Sequence, residues 1–341
     1  MTLTTALAIL GAVVLLGLMA QAWWSARKSR PRQSSPSLPS VERVEPAMEA
    51  SPPRLVDELP ALRSYTRQVH RVDALIDAIV PLALEAPVTG EFALQHQPAS
   101  RRAGTKPFYV EGLDTETGTW EPLAPGRRYG ELQAGVQLAN RSGALNEIEY
   151  SEFLQKIGAF AETIGATADV PDMLEVVARA RELDGLAAPL DAQLSVTLRT
   201  NGVAWSVGFV QQMAVRLGMV AGAVPGRWVL ASTEEGAPPM LSLSVDPQAA
   251  LAEDPQTAVV RECQLSLDVP QTPASVEPFP AWHLMGKKLA DDLDATACDD
   301  YGEPITLHAF DAIGREIDEL YGRLERLDLA AGSPAARRLF S

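Results

Sequence analysis

Cysteine is nearly absent: Cys263 and Cys298 are the only two in 341 residues. Two thiols cannot form a disulfide framework in a chain of this length, and a reducing compartment is the simpler expectation. Histidine is also scarce. His70, His96, His283 and His308 lie far apart and form no Cys/His cluster, so no metal site has its ligand spacing. There is no glycine-rich phosphate loop, no GxSxG elbow and no HExxH helix. The acid pairs Asp291-Asp292 and Asp299-Asp300 fall on a polar helix face and at a turn, where carboxylates are solvated or turn-forming. These absences point away from an enzyme, from any cofactor and from a small-molecule substrate.

Positive charge is scarce as well, except at the amino end. Arg27, Lys28, Arg30 and Arg32 are the only ionisable side chains in residues 1–32, and the remainder sets 25 basic against 44 acidic residues, a net of −19. A body this acidic repels phosphate backbones, which argues against nucleic acid as a partner. What is abundant is apolar side chain, 46% of the chain, enough for a sizeable core.

Residues 3–24 carry no charge and are dominated by Leu, Val, Ile and Ala. At ~1.5 Å per residue such a run makes roughly 33 Å of helix, matching the ~30 Å hydrocarbon layer of a bilayer. Trp23 and Trp24 sit where an interfacial aromatic belt belongs, and the basic cluster that follows favours an N-out, C-in orientation. The expectation is a single-pass anchor over 1–26 that contacts membrane lipid through residues 3–24. The competing reading is a cleaved secretory signal, for which Ala20-Gln21-Ala22 would be the cleavage site. It lacks a basic n-region, and its apolar stretch exceeds the usual ~7 to 15 residues.

The linker over 27–63 is basic at first and then rich in Pro and Ser, a composition that buries no core and reads as an extended tether. Beyond it the pattern is α+β and occurs twice. Phe153, Ala161, Ile164, Ala166, Thr167 and Ala168 align at one constant offset with Trp282, Ala290, Leu293, Ala295, Thr296 and Ala297. Helix-spaced apolar residues (Phe153, Ile157, Phe160 and Ile164; then Trp282, Met285, Leu289 and Leu293) give each copy one buried face. A strand precedes each helix, Val136 and Leu138 matching Leu265 and Leu267, and a further helix follows each. The first of these starts at Asp172 with Glu175 as a capping box and carries Leu174, Val177, Ala178 and Leu183; the second follows Thr306. Opening strands align as well, Ala74, Ile76, Ala78 and Val80 with Ala192, Leu194, Val196 and Leu198. The expectation is two units, 64–188 and 189–330, each an antiparallel sheet covered on one face by helices, followed by a tail over 331–341.

The second unit resembles the FtsZ-binding domain of the ZipA family of bacterial cell-division proteins. The resemblance rests on an ordered string: the strand Gln193 to Leu198, a helix through Phe209, Met213 and Val215 ending at Leu217-Gly218, and the strands Arg227 to Ser232, Met240 to Val245 and Gln264 to Val269, the last stopped by Pro270. It continues through the helix over Lys287 to Leu293, the short strand Ala295 to Cys298, the turn Asp299 to Gly302 and a last helix. The extra unit at 64–188 departs from the family plan. The resemblance implies an inner-membrane protein with a periplasmic amino terminus and a cytoplasmic body. It also implies that the sheet face free of helices takes the C-terminal tail peptide of FtsZ during septum assembly, tethering the division ring.

Carried over by strand parity, that face holds Gln193, Ser195 and Thr197, then Val224, Trp228 and Leu230, then Ser242, Ser244, Gln264 and Ser266. Apart from Val224, Trp228 and Leu230 it is polar, and a solvated face is the plain alternative for its Ser, Thr and Gln positions. The first unit offers Leu75 and Ile79 on its outward parity, with Phe108 and Val110 on a nearby strand, as an alternative site. Two other functions fit the same sequence: a membrane-anchored scaffold binding another division protein or itself, and, if the signal is cleaved, an exported binding module.

Overall fold

Alternation of apolar and polar side chains builds two antiparallel sheets in an α+β fold. In the computed structural model residues 71–341 are described, apart from 235, 253–257 and 306 and the side chains of 307–309. The anchor expected at 3–24, the linker and the cap expected at Thr306 lie outside these residues. No helix among the described residues is long and apolar enough to cross a membrane.

The first half runs β1 (Asp77–Thr89), α1 (Gly90–His96), β2 (Arg102–Ala103), β3 (Lys106–Asp114), β4 (Trp120–Pro122), β5 (Arg128–Gln137), β6 (Ala139–Asn140), β7 (Gly143–Ala144), α2 (Glu147–Ile164), β8 (Ala166–Ala168) and α3 (Met173–Ala187). The second half runs β9 (Gln193–Thr200), β10 (Trp205–Ser206), α4 (Val207–Arg216), β11 (Val220–Ala221), β12 (Arg227–Leu230), β13 (Leu241–Ser244), α5 (Pro247–Ala250), β14 (Val259–Val260), β15 (Glu262–Asp268), α6 (Pro278–Leu293), β16 (Ala295–Cys298), α7 (Leu307–Arg326) and α8 (Pro334–Leu339).

Strand order is β2-β3-β5-β1-β8 in the first sheet, with β4 also on β3, and β11-β12-β13-β15-β9-β16 in the second. The common path is β3-β5-β1-β8 against β13-β15-β9-β16. Ala78 faces Val136 across the first sheet, and their aligned residues Val196 and Leu265 face each other across the second. The repeat therefore extends to cross-strand register.

Each sheet buries one face under its long helix. Phe153, Ile157, Phe160 and Ile164 of α2 are at most 6% exposed, and Trp282, Met285, Leu289 and Leu293 of α6 at most 9%. Burying a side chain of this size stabilises by about 1.5–3 kcal/mol. The indole Nε1 of Trp282 donates to Leu265 O at 3.2 Å, so its one polar atom is satisfied in the core. A left-handed residue ends both helices, Gly165 (φ +69) after α2 and Asp294 (φ +50) at the aligned position after α6.

Some local expectations shift. Asp172 caps α3 through Leu174 N and Glu175 N, but the complete capping box stands at α2, between Asn146 and Glu149. The buried stripe of α3 is Val176, Val177, Ala180 and Leu183, leaving Leu174 exposed. Residues 331–341, expected as a tail, contain α8. Its cap is Ser333, and the chain after it is fastened by Gln137 Nε2 to Arg338 O (2.7 Å) and by Gln271 Nε2 to Phe340 O (2.6 Å). Arg141, in the β6–β7 turn, forks onto Asp191 (2.6 Å) and Asp268 (2.7 Å) of the second half.

Candidate partner-binding face

Seven of the ten residues expected on the helix-free face of the second sheet share it, because cross-strand partners in an antiparallel pair point the same way. One rung across the strands is Arg227, Ser244, Gln264 and Thr197; the next is Val229, Ser242, Ser266 and Ser195. Gln193 opposes Asp268 one rung further on. Turned so that its carbonyl meets Arg141, the Gln193 amide accepts from both Nη atoms at 3.1 and 3.2 Å. Ser195 Oγ donates to Asp300 at 3.3 Å, and an Arg227 Nη lies 3.4 Å from Ser242 Oγ. The face is a lattice of hydroxyls and amides, able to give and accept hydrogen bonds, with an apolar corner where Val220 opposes Val229.

The other three fall elsewhere. Trp228 and Leu230 oppose Leu243 and Leu241, on the helix-covered side, and Trp228 is 4% exposed. Val224 lies in the turn between β11 and β12, 52% exposed. Outward on β12 are Arg227 and Val229 instead. Trp228, Val229 and Leu230 are consecutive apolar residues, so this strand offered no alternation, and burial of the largest side chain set its parity.

The alternative site on the first sheet does not assemble. Phe108 is 1% exposed on the helix-covered face, edge-on to Phe153 with centroids 5.4 Å apart, and Val110 opposes the buried Ala134 on the same side. Ile79 opposes Gly135 on the helix-free side, and Leu75 lies in the turn before β1.

That helix-free side is itself occupied. Asp77, fully buried, takes the guanidinium of Arg338, with Nη1 2.9 Å from Oδ2. Arg338 also stacks 4.7 Å from the Tyr109 ring centroid and donates to Arg71 O. Burial raises the Asp77 carboxyl above its ordinary range, against the pull of Arg338. Val72 sits over Gly135, where an added Cβ would lie 2.7 Å from Val72 Cγ1, so only glycine fits. The Arg71 and Val72 amides both donate to Glu111 Oε1, the latter at 3.1 Å. None of Asp77, Tyr109, Arg141 or Arg338 was singled out in the sequence. The available signal was a lone acid, Asp77, inside an apolar alternating strand.

No nucleophile suggests itself among the thiols: Cys263 is buried, and burial pushes its pKa up to about 12. No group of three or more His, Cys, Asp or Glu able to hold a metal occurs among the described residues. No protein-family model matches the chain, and a search of curated proteins finds no relative.

Proposed function

We propose that the chain is a membrane tether for the bacterial division ring, binding the C-terminal tail of FtsZ on the helix-free face of its second sheet in the manner of the ZipA family. One observation carries this reading: two full rungs of that face cross β12, β13, β15 and β9, and none of their residues is buried among the described residues, while the opposite side is packed. A peptide laid on such a face gains affinity from a few well-seated side chains while the rim stays polar. The apolar run at 3–24 fits a single inner-membrane helix, with the amino terminus periplasmic and the body cytoplasmic. Anchoring raises the local concentration of a modest site near the membrane, so weak intrinsic affinity suffices for a tether that works by binding.

The test is titration of fluorescent FtsZ tail peptide against the full chain in nanodiscs. Thr197→Arg and Ser266→Arg, which place bulk on one residue of each rung, are expected to weaken binding by about tenfold or more, or ~1.4 kcal/mol. Absence of binding to the unsubstituted chain sinks tail recognition, and binding that ignores both substitutions moves it off this face. The polarity of the rungs favours a second reading, a membrane-anchored scaffold for another division protein or for itself. Pull-down from cells with and without FtsZ separates the two, and a carboxyl-terminal reporter fusion reads the topology.

A further inference from the structure

The proposed function leaves the first sheet's helix-free face unused, although its chemistry is the more specialised of the two. Asp77 and Gln137 oppose each other on one rung, and Tyr109 follows on the next. The aligned positions of the second sheet are Ser195, Ser266 and Ser244. In place of three hydroxyls the first sheet has a buried carboxylate, a buried amide and an aromatic ring, and Arg338 engages all three. Asp77 grips both Nη atoms, Tyr109 offers its ring face, and Gln137 Nε2 holds the Arg338 carbonyl. A planar guanidinium forked by a carboxylate and stacked on an aromatic ring is a geometry that reads arginine and would not suit lysine. Leu339 and Phe340 follow, 2% and 1% exposed, beside Asn140, Gly143 and Ala187, and Gln271 Nε2 holds the Phe340 carbonyl, so two apolar side chains next to the clamp are buried with it.

The fit in cis is incomplete. Gln137 is fully buried, yet its Oε1 has no hydrogen-bond partner among the described residues, and neither has the buried Nε of Arg338. An unmet acceptor and donor in one clamp weaken the resident arrangement relative to its desolvation cost. The connection from α7 into α8 also contains Asp328 at φ +56, a left-handed non-glycine residue.

We propose that the clamp of Asp77, Gln137 and Tyr109, with the adjoining cavity beside Asn140, Gly143 and Ala187, is a binding site for a peptide bearing an arginine followed by two large apolar residues, and that residues 333–341 are its resident, displaceable ligand. This segment then acts as a latch that keeps the site closed until a competing segment of the same chemistry arrives.

The probe is a fluorescent peptide spanning Ser333 to Ser341, titrated by anisotropy against the full chain in detergent. Arg338→Ala is expected to open the clamp and bind this probe about tenfold more tightly than the unsubstituted chain, because the cis competitor is weakened. Adding Asp77→Asn removes that gain, and a probe carrying Arg338→Ala does not bind. Equal affinity for the two chains, or a gain that survives Asp77→Asn, overturns the proposal. Should the variants not fold, the unsubstituted chain decides. A probe with photoreactive benzoylphenylalanine at position 340, in excess, is expected to cross-link near Asn140, Gly143 and Ala187, which line one cavity together with Phe340, and to be competed by unlabelled peptide. Absence of a competed cross-link there is equally fatal.

Discussion

The first and second sheets share a strand order and a central register, yet their helix-free faces have opposite fates. On the first, Val72 fills the space over Gly135 and Arg338 closes on Asp77. On the second, the rungs of Ser, Thr and Gln are not buried among the described residues. Topology thus fixes which positions point outward, but a few side chains decide whether that face is covered from within the chain or kept for something else.

The largest expected effect tests whether the two cores are energetically alike. Phe153→Ala and Trp282→Ala, at aligned positions, are each expected to lower the unfolding free energy by about 3–5 kcal/mol in urea titrations followed by circular dichroism. A loss under ~1 kcal/mol at either would break the equivalence, since it lies far below the usual cost of an aromatic truncation in a core.

Next comes the difference between the faces. Asp77→Ala strands the Arg338 charge in a buried setting and is expected to cost about 3 kcal/mol. Ser195→Ala, at the aligned position, is expected to stay within about 0.5 kcal/mol. Equal costs in the same assay would mean that the covered and uncovered faces do not differ energetically.

A smaller loss than that at Asp77 is expected in the β3–β4 hairpin of the first sheet. Asp114 Oδ1 accepts from Thr117 N (2.9 Å) and Glu116 N (2.7 Å). The Thr117 amide holds the carboxyl below the ordinary 3.8, burial opposes, and Glu116 N and Arg127 assist. A lowered folded-state pKa gives stability that is present above 3.8 and lost as pH falls through the folded value. Asp114→Asn is therefore expected to lower stability by about 1 kcal/mol at pH 7. The gap to the unsubstituted chain should close as pH falls below 3.8; a gap that stays constant would assign the effect to packing.

Much of this architecture was legible beforehand because its signals are local. The expected Ala295 to Cys298 strand is β16 as read, and Phe153 and Trp282 fall on the buried faces that their spacing indicates. The two-sheet repeat was legible because alternation fixes parity wherever one side is buried, as in β9, β13 and β15. It failed in β12, where three apolar residues in a row carry no parity, and in β3, where Phe108, Tyr109 and Val110 could each face inward. Contacts over long sequence separations left no local trace. Nothing near Asp77 announces Arg338, and nothing near Arg141 announces Asp268.

Arg71 and Val72 bring the chain onto β3 and β5, two interior strands of the first sheet. Tension arriving from the amino-terminal side therefore meets the middle of the sheet before it can peel an edge. Pulling the chain free at that point requires the Glu111 carboxylate to release two amides, Val72 to leave its seat and Arg338 to let go of the Arg71 carbonyl, so one glutamate, one glycine and one arginine share the resistance.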